Sequence, residues 1–159
     1  MRAAHSRVQT LRTVLPVLLG ILACRGRVPD VAPLQPIQRA DGRVVELLLD
    51  VDALAERDPD AAARSLRETV APRADANAAA ATRVTVTEPR AQRLHAELVR
   101  LTRERSETVQ LYARALESRD ADVLRQALRR QVQLDRSMDR FEAAVQAAQR
   151  AQRVGGCSR

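Results

Sequence analysis

Aromatic side chains are nearly missing from this 159-residue chain, which has no Trp and only Tyr112 and Phe141 besides. Any core must therefore be built from Leu, Val and Ala. Lysine is absent, so all 27 basic residues are Arg, and with Ala so abundant this is explained by GC-rich codons more simply than by selection for guanidinium chemistry. Of the five glycines only Gly42 lies between Gly26 and Gly155, which excludes a glycine-rich loop that would cradle phosphate. Histidine is limited to His5 and His95 and cysteine to Cys24 and Cys157, too few for a metal set of recognisable spacing. The serines, Ser65, Ser106, Ser118 and Ser137 among them, lack a G-x-S-x-G setting for a nucleophile. No cofactor and no enzymatic activity are expected.

What the chain does have is charge, 30% of its residues, and a net charge of +7. Arg2, Arg7 and Arg12 precede residue 24, so the remainder carries 7 − 3 = +4. The distribution is uneven: residues 39–75 hold six Arg against nine acids, and residues 119–159 nine Arg against five. Complementary solvated faces within one fold account for this simply. The sharper alternative is an anionic partner for Arg125, Arg129, Arg130, Arg136 and Arg140. Nucleic acid is not the expected partner, because no aromatic platform accompanies the arginines.

Residues 1–12 combine those three arginines with no acid, and Val14 to Ala23 follow as an apolar run broken only by Pro16 and Gly20. Basic region then apolar region is the order of a secretory leader, and the run is well short of the roughly 20 residues of a spanning helix. It ends in Ile21-Leu22-Ala23-Cys24, which resembles the lipobox of bacterial lipoproteins, with Ile21 where Leu is most usual. The resemblance implies a diacylglycerol thioether on Cys24, cleavage after Ala23 by signal peptidase II, and acylation of the freed amine. The membrane is then a partner through lipid, since two or more acyl chains hold a protein stably where one does not. Arg25, in place of the Asp that often signals inner-membrane retention, favours the outer membrane by the same resemblance. Ordinary signal peptidase cleavage, leaving Cys24 a free or disulfide-bonded cysteine in a soluble secreted protein, is the alternative reading.

Residues 24–40 carry Pro29, Pro33 and Pro36 and read as the lipidated cysteine with an extended spacer. Residues 41–153 read as a helical bundle. Val44, Val45, Leu47, Leu48, Val51 and Leu54 recur at helical spacing and predict a helix over 41–57. Asp58-Pro59 is a cap and first-turn proline, and Leu66 and Val70 continue the stripe to Ala71-Pro72. Residues 72–87 have no steady period and read as a connection that has room for helical or extended stretches. Thr87 is placed to cap a long helix ending near Ser118, and Asp120 to cap another that stops at Gly155-Gly156.

The expected fold is all-α: an elongated antiparallel bundle of three helices, or four if Pro59 breaks the first, with a long C-terminal hairpin. Arg105 falls within an apolar stripe and is expected to pack its stem and extend its head to solvent, with an internal ion pair as the alternative. His95 reads as a surface helix residue, and Asp135 and Asp139 as solvated charge. Residues 154–159 read as a flexible tail, whose Cys157 is either incidental or the link of a disulfide-bonded homodimer. The expected role is a membrane-anchored envelope lipoprotein that presents a helical surface to an envelope protein. A periplasmic chaperone-like or ligand-binding helical protein is the alternative.

Overall fold

The computed structural model describes residues 30–156. A 3-10 turn, Ala32–Leu34, leads into α1 (Gln35–Ala55); α2 (Pro59–Ser65), a π-helical turn (Leu66–Val70) and α3 (Ala71–Arg83) then follow without interruption as one rod. The hairpin of α4 (Pro89–Ser118) and α5 (Ala121–Gly156) completes an all-α antiparallel bundle. Pro59 does separate α1 from the rod, so there are four helical columns among the described residues.

The helix starts follow from local chemistry. Asp58 accepts a hydrogen bond from the Ala61 amide at 2.9 Å, and Asp120 from the amides of Asp122 and Val123 at 2.8 and 3.1 Å. Glu88 rather than Thr87 caps α4, its carboxylate 2.7 Å from the Ala91 amide. Arg119 links α4 to α5 in the left-handed region, with φ 54° and ψ 29°, the geometry that ends a helix in a tight turn.

Three expectations are corrected. The spacer assigned to residues 24–40 does not extend through its second half: Val31, Leu34 and Ile37 are buried, and Pro36 is a first-turn proline of α1, where its missing N–H costs nothing. Residues 72–83 are one continuous helix rather than a connection with helical stretches, and only 84–88 link it to α4. Pro72 clashes with an α-helical carbonyl one turn back, and the π turn over Leu66–Val70 widens the spiral just ahead of it. The helix of the supposed tail runs through Gly156. Residues 1–29 and 157–159, including Cys24 and Cys157, lie outside the described residues.

The core divides in two. One cluster joins Val31, Leu34 and Ile37 to Leu98, Leu101, Met138, Phe141 and Val145; the other joins Val44, Leu48 and Val51 to Leu66, Val70, Val109, Tyr112 and Leu116. Between them each column contributes polar side chains: Asp41 from α1, Asp75 from α3, Arg105 and Ser106 from α4, and Asp135 from α5. α1 packs closely along the rod, the rod along α4, and α4 along α5, whereas α1 and α5 face each other without close backbone approach.

Candidate functional site

The α1–α5 seam is where the bundle departs most from a closed core. Groove-facing positions on α1 recur as Gln38, Gly42, Val45, Leu49 and Asp52, and on α5 as Leu128, Gln131, Asp135, Asp139, Glu142 and Gln146, spacings of three and four that keep each set on one helix face. Three cavities follow the seam. The first, about 270 Å³, lies between Gln35, Gln38 and Arg39 of α1 and Glu142, Gln146 and Gln149 of α5. The middle one, about 230 Å³, has carboxylate-rich walls and reaches Arg105 of α4. The last, about 90 Å³, is mostly apolar, floored by Val109 and Tyr112 and edged by Leu49 and Leu128.

At the middle level Arg105 is only 1% exposed, contrary to the expected solvent-facing head. Its Nη1 donates to Asp135 Oδ1 at 2.7 Å and its Nη2 to Asp41 Oδ2 at 3.2 Å, so the guanidinium ties α4 to both walls of the seam. Asp135 is accordingly not idle solvated charge, although its side chain stays 44% exposed. Asp41 is buried, and desolvation pushes its carboxyl above the ordinary value of 3.8 despite the opposing attraction of Arg105. Its Oδ1 and the Arg105 Nε have no hydrogen-bond partner among the described residues.

Lower in the seam the Tyr112 hydroxyl donates to Asp52 at 2.8 Å, and burial raises the phenol pKa. Exposure rises sharply beside it: Leu49 is 64%, Val132 51% and Leu128 43% exposed, the large apolar side chains left most open to solvent among the described residues. Single exposed leucines are ordinary, but Leu49 and Leu128 edge one opening and Val132 lies one turn from Leu128.

The five arginines proposed for an anionic partner are all exposed. At 100° per residue Arg125, Arg129, Arg136 and Arg140 fall within an arc of roughly 60°, on the face of α5 opposite its buried side. Arg130 falls outside this arc and instead lines a cavity of about 280 Å³ with Arg100, Glu104 and Glu107. Arg125 pairs with Asp122, and Arg140 donates to Ser137 Oγ at 3.0 Å.

His95 is partly buried, not a plain surface residue. Its Nε2 lies 2.8 Å from the Ala81 carbonyl, an acceptor, so Nε2 carries the hydrogen and secures the end of α3 to α4. Sequence reasoning admitted an internal ion pair for Arg105 as the alternative but did not identify its partners, Asp41 and Asp135; the available signal was a charge inside an apolar stripe. Among the described residues no three His, Cys, Asp or Glu side chains are placed to hold a metal ion, and no helix is long and apolar enough to cross a membrane. No protein-family model matches the chain, and no curated protein or solved structure does.

Proposed function

We propose that the protein is a lipid-anchored component of the bacterial envelope, favouring the outer membrane, whose bundle offers the α1–α5 seam to a protein partner in a structural or accessory role. The observation that carries the docking part is the exposure of Leu49 and Leu128, which edge one opening of the loosely packed α1–α5 seam. The anchor rests on the leader and on Ile21-Leu22-Ala23-Cys24. A second reading, a binder of small ligands, is favoured by the seam's cavities of about 230 and 270 Å³, which approach the size of small-molecule sites.

Intact-mass measurement on membrane fractions of the wild type and Cys24→Ala tests the anchor. The wild type is expected as a chain starting at Cys24 with acyl mass added, and the variant without it. A water-soluble wild type with an unmodified Cys24 ends the lipoprotein reading. For docking, a photo-crosslinker at Leu128 is expected to give a discrete adduct in intact envelopes that Leu49→Asp abolishes. A crosslinker at Arg114, on the exposed side of α4, is expected to give none; equal labelling from both positions refutes docking at the seam.

A further inference from the structure

The middle cavity of the seam differs from its neighbours in electrical balance. Asp41, Asp135, Asp139 and Glu142 line it, and Arg105 is its one cation. Both terminal nitrogens of Arg105 are already committed, to Asp41 and Asp135. Asp139 and Glu142 have no ion-pair partner within 4 Å among the described residues, although Arg39 shares the adjoining cavity with Glu142. The cavity between α4 and α5, by contrast, sets Arg100 and Arg130 against Glu104 and Glu107 and is neutral.

Two further observations point to an occupant. Asp41, 3% exposed, lines the cavity while its Oδ1 accepts no hydrogen bond from the described residues, an expensive arrangement for a buried carboxylate. On the same wall a Cβ added at Gly42 would meet nothing within 4 Å, so α1 leaves space where a side chain would normally stand. Val45 and Met138 supply apolar wall beside the carboxylates, which suits an aliphatic stem with a charged head. The carboxylates do not converge as metal ligands, and hard cations require oxygens gathered at about 2.0–2.6 Å.

We infer that this cavity is a recognition site for an alkylguanidinium or alkylammonium group, namely the Arg or Lys side chain of a helix docking in the seam. The identity of the donor rests on the docking reading above; the cavity's preference for an organic cation does not. Leu49 follows Gly42 by seven residues and Leu128 precedes Asp135 by seven, so the docking helix presents its basic residue about two turns from an apolar one.

The full-length chain in neutral detergent, labelled with 15N, is titrated with n-butylguanidinium chloride, with sodium butanoate and sodium chloride at equal ionic strength as controls. The Gly42 amide signal is expected to shift saturably with n-butylguanidinium alone. Asp139→Asn with Glu142→Gln, both at exposed positions, is expected to weaken that binding about tenfold, the loss of charge-assisted contacts, with the helical circular dichroism unchanged. No saturable shift, an equal shift with either control salt, or the same affinity in the double variant overturns the inference. Because neither membrane nor partner enters this titration, failure here leaves the anchor and docking readings to their own tests.

Discussion

A guanidinium withdrawn from water is tolerable only when carboxylates replace its hydration, and Arg105 meets this condition with Asp41 on one side and Asp135 on the other. Removing the cation strands Asp41. Arg105→Met is therefore expected to cost about 3–5 kcal/mol, and adding Asp41→Leu to recover most of it, both read from urea unfolding midpoints. A double variant no more stable than the single would show that the two residues are not coupled. Asp41 also sets a pH dependence. Its folded carboxyl lies above the ordinary value of 3.8, chiefly through desolvation, so the folded state binds the proton more readily than the unfolded chain. That contribution is complete below the unfolded value and is lost as pH rises through the folded one. Across this window the wild-type midpoint is expected to gain a downward component that Asp41→Asn lacks; parallel profiles for the two proteins would assign the slope to other groups.

At the level of helices, what could be read from the chain was what is encoded locally. Asp58-Pro59 and Asp120 announce their caps within four residues, and the hairpin stripes of α4 and α5 are long enough to outweigh any one exception. Pro33 and Pro36 were ambiguous because proline serves equally in an extended segment and in a first helical turn. The decision came from Val31, Leu34 and Ile37 burying against Phe141 and Val145, about a hundred residues away in sequence. Ala71-Pro72 misled for a related reason, since a π turn absorbs the proline and leaves no composition signal. Arg105 was legible as an oddity, but its partners lie 64 and 30 residues away, beyond any single-helix pattern. The α4–α5 turn supplies its own test. Arg119 holds a left-handed conformation unfavourable to a residue with a Cβ, and its contact with Asp60 is between exposed side chains and is worth little. Arg119→Gly is expected to raise stability by about 0.5–1 kcal/mol, measured by thermal unfolding; a loss would mean that the Asp60 contact outweighs the backbone strain.

Across the whole molecule the packing is asymmetric. α4 is clasped by the rod and by α5, while α1 leans on the rod and meets α5 mainly through side chains. Local opening follows weak packing, so amides of α1 are expected to exchange at least tenfold faster than those of central α4 in hydrogen-exchange mass spectrometry. Equal protection of both helices would mean that the seam is as secure as the other interfaces. The polar layer through Asp41, Asp75, Arg105 and Asp135 works against slippage, since sliding one column by a turn would strand its charge beside aliphatic side chains.

The early start of the folded part also sets a distance. With Val31 already in the core, a lipid on Cys24 would be joined to the bundle by only residues 25–30, a leash of at most about 20 Å, where a spacer running to residue 40 would have allowed more than twice that. The Gln35 end of the seam would then hang near the headgroups. Leu49, fourteen residues further along α1, would stand about 21 Å beyond it. Under the proposed anchoring, such a leash would select by height: a partner itself embedded in the bilayer would meet the glutamine-lined end first, and one arriving from the aqueous side would meet the leucines.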